Sequence, residues 1–176
     1  VLLFLLLSIG TVMVRYLFHD KIISLADVTK HSTGDVALLG IVPKYSKQIP
    51  LSQLIVDKNP KSLMSEAFRT LRTNLKFLDS TEGSKIISIT STISGEGKTF
   101  VAINMAGILA FTNKRVVILD LDLRKPKIHK GFGAKNEIGM STILTGLTDL
   151  NSCIQDSPMD QLKVNTAGPV PPNPSE

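Results

Sequence analysis

"TSTISGEGKT" (Thr90–Thr99) ends in Gly-Lys-Thr, as a phosphate-binding loop of the pattern G-x-x-x-x-G-K-[ST] does. Where that pattern has its first glycine, six residues before Lys98, stands Thr92. Context has to decide between a nucleotide loop and a chance run of small residues. Upstream, "KIISITS" (Lys85–Ser91) is a β-branched apolar run, which predicts a strand buried on both faces. Downstream, "TFVAINMAGILAF" runs thirteen residues without a charge. It is too short for a bilayer and too apolar for a surface helix, so it predicts a buried helix packed on a sheet. "TNKR" turns the chain and "RVVILDLDL" (Arg115–Leu123) predicts a second buried strand. Strand, loop, apolar helix and strand compose a right-handed βαβ unit, the setting in which a P-loop works.

Each residue type in the loop then has a chemical reason. Gly95 and Gly97 let the backbone curl and approach a ligand without a Cβ clash. The helix start offers unpaired N–H groups to phosphate, Lys98 adds a full positive charge, and the Thr99 hydroxyl is placed to bind Mg²⁺. Thr92 need not spoil the site, because the first glycine serves loop geometry. Asp120 and Asp122 alternate on one face at the C-terminal end of the second strand, the edge where α/β folds bind ligands. A carboxylate there can hold Mg²⁺ or take a proton from an incoming hydroxyl.

Before this unit, "SLMSEAFRTLRTNLKFL" places Leu63, Ala67, Phe68, Leu71, Leu75 and Leu78 at three- and four-residue steps, which predicts an amphipathic helix. Glu66, Arg69 and Arg72 fall on its polar side. They make either an ordinary exposed face with a Glu66–Arg69 pair or an interface. A helical pattern begins near Ser24, and "ALLGIVP" is strand-like. Ser46–Ser62 mixes Pro, Lys, Ser and Asp without period, as a linker does.

The first fourteen residues, "VLLFLLLSIGTVMV", carry no charge, and "RYLF" follows. A full span takes about 20 apolar residues, so this is slightly short. Because the chain opens on Val, it is read as a span cut inside, with Arg15 and Tyr16 at the interface. A secretory signal fits less well, lacking a basic n-region and a small-residue cleavage site. A buried helix of a soluble protein is the other alternative.

Of the 176 residues 43% are hydrophobic and 20% charged, which suits a folded domain with a locally concentrated apolar load. One cysteine, Cys153, excludes an intramolecular disulfide and a Cys-based zinc site, and three scattered histidines argue against histidine ligation of a metal. Net charge is +5, densest over Arg124–Lys135, where five Lys/Arg meet no acid. Aromatics make up only 5% of the chain and only Phe132 interrupts that run, so nucleic-acid binding is disfavoured. A solvated loop and a phosphate- or acid-facing surface both remain open.

"SGEGKT" followed by "VVILDLDLRKPKIHKGF" resembles the Walker A and Walker A′ motifs of the bacterial tyrosine kinases, membrane-anchored P-loop proteins of capsular and exopolysaccharide synthesis. "KSLMSEAFRTLRTNLKF" resembles their E-x-x-R-x-x-R helix, and "GMSTILTG" and "AGPVPPNPSE" their later segments. The start, with "LGIVP", is similar to the second transmembrane helix and juxtamembrane segment of a chain-length-determinant domain. The resemblance implies a P-loop NTPase-like α/β fold, a doubly wound parallel sheet preceded by a transmembrane helix. It divides the chain into a helix over 1–18, a juxtamembrane segment over 19–45, a linker over 46–61 and the N-terminal part of a kinase domain over 62–176.

It further implies ATP and Mg²⁺ as cofactors. Ser94, Gly95, Glu96, Gly97, Lys98, Thr99 and Phe100 would bind nucleotide. Thr99 and Asp120 would hold the metal, and Lys98, Asp120 and Asp122 would carry catalysis. Glu66, Arg69 and Arg72 would join subunits in a ring. The implied partners are the polysaccharide polymerisation and export machinery and a protein tyrosine phosphatase. The implied location is the bacterial inner membrane, with the nucleotide domain in the cytoplasm. The implied activity is tyrosine autophosphorylation, against a non-catalytic ATP-responsive scaffold and a partitioning-type ATPase. The last carries a signature lysine five residues before the P-loop lysine, where this chain has Ile93. Two departures are a Walker B strand and a tyrosine-rich tail, neither of which falls within the 176 residues; the only tyrosines are Tyr16 and Tyr45. The sequence is therefore expected to be an internal piece of a longer kinase.

Overall fold

The computed structural model describes residues 2–17, 25–31, 36–45, 53–56 and 61–173. The chain forms two compact units, Val1–Leu38 and Leu39–Glu176.

The first unit holds helix α1 (Leu2–Leu17) and helix α2 (Leu25–His31). Leucine favours the helix, and the hydroxyls of Ser8 and Thr11 turn back to donate to Leu5 O and Ser8 O, each at 2.8 Å, so neither demands water. The apolar side chains face outward, Phe4 being 80% exposed. The expected transmembrane helix, read as a span cut inside, is not shown by the structure: among the described residues no helix is long and apolar enough to cross a membrane. The sixteen residues of α1 rise about 24 Å at about 1.5 Å each, against a hydrocarbon core of about 30 Å. α2 lies where a short helix was expected, while its expected cap, Ser24, is outside the described residues.

In the second unit, helix α3 (Leu63–Leu78) starts at Ser62, whose hydroxyl accepts the Ser65 N–H at 3.2 Å. Its buried stripe is Met64, Phe68 and Leu71, with Leu75 packed beside it; Leu63 and Leu78, expected in the stripe, are exposed. That stripe packs on helix α4 (Lys98–Ala110), which also lies against strand β1 (Val116–Leu119). Helices α5 (Ile128–Phe132), α6 (Met140–Leu144) and α7 (Leu150–Cys153) follow, then strands β2 (Ile154–Asp156) and β3 (Leu162–Asn165). The sheet order is β1-β3-β2: β1 runs parallel to β3, and β2 antiparallel to it. Ile103, Phe68, Leu162 and Val164 form the centre of the core. Cys153, fully buried, closes α7 with its sulfur 3.2 Å from the Thr148 hydroxyl.

Three expectations fail here. Lys85–Ser91 is not a strand, and Ile86 is completely exposed. β1 takes β3 as its neighbour, and no ladder partner reaches Lys85–Ser91 among the described residues, so its β-branched side chains alone do not make a strand. β1 is buried on one face only, through Ile118, with Val117 and Leu119 exposed. "ALLGIVP" forms no strand either; Leu39, Val42 and Tyr45 instead pack against the core.

The stretch read as a linker is more than a tether, because Leu54, Ile55 and Val56 are buried within it. The seat is built by α4. Asn104, itself fully buried, accepts the N–H groups of Ile55 (2.8 Å) and Val56 (3.3 Å) at Oδ1. Its Nδ2 donates to Gln53 O (3.0 Å) and Phe100 O (2.9 Å), so the amide is saturated. A Cβ on Gly107 would lie 2.4 Å from Leu54 Cδ1 and 2.9 Å from Val56 Cγ2, so glycine makes the room.

Candidate functional site

The loop and the strand end meet as the spacing predicts. Gly95 and Gly97 both adopt positive φ, +100° and +97°, the region only glycine enters without strain. Gly97 is the N-cap of α4 and has no side chain to cap it, so the first N–H groups of the helix are left for a ligand. Lys98 and Thr99 open the helix. Ser94, Gly95 and Glu96 form the exposed outer loop, and Glu96 Oε2 accepts the Ile93 N–H at 3.1 Å. Phe100 does not turn outward: its ring packs 6.3 Å from Tyr45 and 6.2 Å from Phe68, tying the first turn of α4 to the segment before it.

Across from the loop, Asp120 continues the β1–β3 ladder, its N–H donating to Asn165 O at 2.9 Å. Asp120 is 2% exposed, and its two oxygens accept the N–H groups of Asp122 (3.2 Å) and Ile128 (3.1 Å). Burial pushes its carboxyl above the usual range, only partly offset by those N–H groups. Asp122 goes the other way: Lys98 Nζ donates to its Oδ2 at 2.7 Å and holds the carboxyl below the ordinary range. Asp122 Oδ1 accepts the Lys125 N–H at 3.0 Å, joining the site to the basic run. Lys98, Asp120 and Asp122, each assigned from sequence, are thus brought together.

The oxygen-only donor set of Thr99 and Asp120 suits Mg²⁺, a hard cation that takes one or two carboxylates together with substrate phosphates. Among the described residues no group of three or more His, Cys, Asp or Glu could hold a metal by itself. On α3, Glu66 pairs with Arg69, and Arg72 Nη1 lies 3.5 Å from Ile108 O. Asn104 was missed from sequence. Its signal was visible: a lone amide inside a charge-free helix is buried and needs partners.

Residues 87–162 match the CobQ/CobB/MinD/ParA nucleotide binding domain. The tyrosine-protein kinase YwqD of Bacillus subtilis (strain 168) is 41% identical over 123 residues, 70% of this chain and 52% of that protein. The tyrosine-protein kinase wzc of Salmonella typhi is 34% identical over an alignment of 187 residues, covering all of this chain and 26% of that protein. The solved kinase domain of the Escherichia coli tyrosine kinase ETK superposes with a TM-score of 0.77 at 30% identity, over 88% of this chain and 64% of that one. The chain is similar along its length to the bacterial tyrosine kinases. It spans between a quarter and about half the length of these curated relatives. Their fold accounts for the mixed α/β core and the placement of the P-loop at the start of α4.

Proposed function

We propose that the intact protein is an ATP-dependent tyrosine autokinase that regulates polysaccharide chain length, polymerisation and export. The observation that carries this reading is Lys98, at the uncapped start of α4, set against the Asp120/Asp122 pair at the end of β1 in a chain similar to these kinases. Lys98 and the first N–H groups of α4 bind and orient the phosphates, while the positive φ of Gly95 and Gly97 lets the loop close around them. Thr99 and Asp120 hold Mg²⁺, which when bound neutralises charge on the transferring phosphoryl group. Asp120 is the carboxylate placed to take the proton of an acceptor hydroxyl, and Asp122 orients Lys98.

In the same reading residues 1–18 belong to a membrane anchor, 19–45 to the end of a chain-length-determinant domain and 62–176 to the kinase domain, which faces the cytoplasm where ATP is. The exposed apolar surface of α1 supports the anchor. Glu66, Arg69 and Arg72 join subunits of a ring, the export machinery is the functional partner, and a tyrosine phosphatase reverses the modification.

Equilibrium binding of Mg·ATP to the 176-residue chain tests the site. Lys98→Met should lower affinity about 100-fold, because it removes a full positive charge from the phosphates. In cells making the intact protein, the same change should abolish its phosphotyrosine. Unchanged nucleotide affinity in Lys98→Met would remove the reading.

A further inference from the structure

The lysine that should meet phosphate is already engaged. Lys98 Nζ lies 2.7 Å from Asp122 Oδ2, with both side chains about one-third to one-quarter exposed. Any anion that takes Lys98 strips Asp122 of its cation. Asp122 is then left with only backbone N–H groups of the Arg124–Lys125 turn and no cation, beside the buried carboxylate of Asp120 and facing the incoming negative charge. Like charges brought together in a partly dry site repel strongly. An anion that brings its own divalent cation escapes this, because the cation replaces Lys98 next to the two carboxylates.

We propose that Asp122 is a specificity-determining residue: it holds Lys98 against phosphates that arrive without a divalent cation and yields it to those that bring one. The proposal rests on the nucleotide reading of the loop and goes beyond it, because it assigns Asp122 a role that opposes binding. Asp122→Asn should therefore tighten, not weaken, the binding of metal-free nucleotide. A residue that only supports the site would give the reverse.

The test is the dissociation constant of ADP for the full chain, measured by calorimetry in EDTA and again in Mg²⁺. In Asp122→Asn, metal-free ADP should bind about fivefold tighter, the size expected for freeing a partly exposed charged donor. The ratio of the two constants should fall at least as much. Glu96→Gln removes a neighbouring charge that bonds Ile93 N–H and not Lys98, so its gain should be under half as large. Weaker or unchanged metal-free binding in Asp122→Asn overturns the proposal, and so does an equal gain in Glu96→Gln, which would reduce it to general charge.

A second readout needs no nucleotide. Acetylation of Lys98 by acetic anhydride, followed by peptide mass spectrometry, should speed up about threefold in Asp122→Asn relative to the other lysines as the ion pair is lost. If the wild type binds no ADP with or without Mg²⁺, the nucleotide reading fails. Faster labelling would then still establish the Lys98–Asp122 latch, and unchanged labelling would overturn it too.

Discussion

Asn104→Ala puts the Gln53–Val56 strap to the test. The substitution leaves the buried N–H groups of Ile55 and Val56 without an acceptor, at about 1–3 kcal/mol each. The strap can avoid that cost by leaving its seat, so the loss is capped at the docking free energy. Burying Leu54, Ile55 and Val56 contributes about 1.5–3 kcal/mol apiece. Ordering four backbone residues costs about 1–2 kcal/mol each, so apolar burial alone barely favours docking, and the three hydrogen bonds between Asn104 and the strap, about 0.5–1.5 kcal/mol each, supply most of it.

The expected loss is about 2–4 kcal/mol, or roughly 5–15 °C in Tm for a chain of this size. Gly107→Ala disturbs the same seat by pushing a Cβ into Leu54 and Val56, at about 1–3 kcal/mol. Because both changes end in the same undocked strap, the double variant should lose less than the sum of the two. Urea unfolding gives the energies, and limited proteolysis gives the accessibility of Gln53–Val56. A loss below about 0.5 kcal/mol in Asn104→Ala, or full additivity, would refute the clamp.

Gly139→Ala should be severely destabilising. The new Cβ would sit 2.1 Å from Thr166 O and 2.5 Å from Gly168 N, and would break the 2.8 Å bonds that Met140 and Ser141 donate to Thr166 O and Ala167 O. A loss above about 3 kcal/mol by calorimetric unfolding is expected, and a loss under 1 would show that the turn simply shifts. Phe100→Ala removes the ring shared by Tyr45 and Phe68 and should cost about 2–3 kcal/mol, read in Tm; an unchanged Tm would mean that the cluster adds nothing.

The two aspartates should give opposite pH slopes. The depressed Asp122 carboxyl stabilises the fold above its unfolded pKa, and this is lost as pH falls through the folded value. The raised Asp120 carboxyl contributes fully below its unfolded pKa, and this is lost as pH rises through the folded value. Urea unfolding across pH should lose the first slope in Asp122→Asn and the second in Asp120→Asn. Retention of either slope would show that another group carries it.

The sequence revealed most where the signal was local. The length and lack of charge in Thr99–Phe111 were enough for α4, and the three- and four-residue spacing for α3, although Met64 rather than Leu63 faces the core. Gly95, Gly97, Lys98 and the alternation of Asp120 with Asp122 named a loop and a strand end that the structure brings together. What escaped depends on partners distant in the chain. Lys85–Ser91 has the composition of a strand, but a strand exists only beside another, and no spacing reports that. Leu54–Val56 is a three-residue apolar island among Pro, Lys and Asp, too short for any period to show. Its burial depends on Asn104, about fifty positions on. The Lys98–Asp122 contact was equally out of reach, because a motif names the two residues without saying that they bind each other.

Cys153 equips the protein with a built-in reporter. It is the chain's only thiol and has no exposure at all in the folded state. Alkylation can therefore proceed only when the region around α7 opens, and the rate divided by that of a free thiol gives the equilibrium for opening. Followed against urea, that quotient separates a small local excursion, which hardly responds, from global unfolding, which responds with the full slope. One unmodified sample thus yields both the conformational free energy and the cooperativity, with no probe introduced and no residue changed.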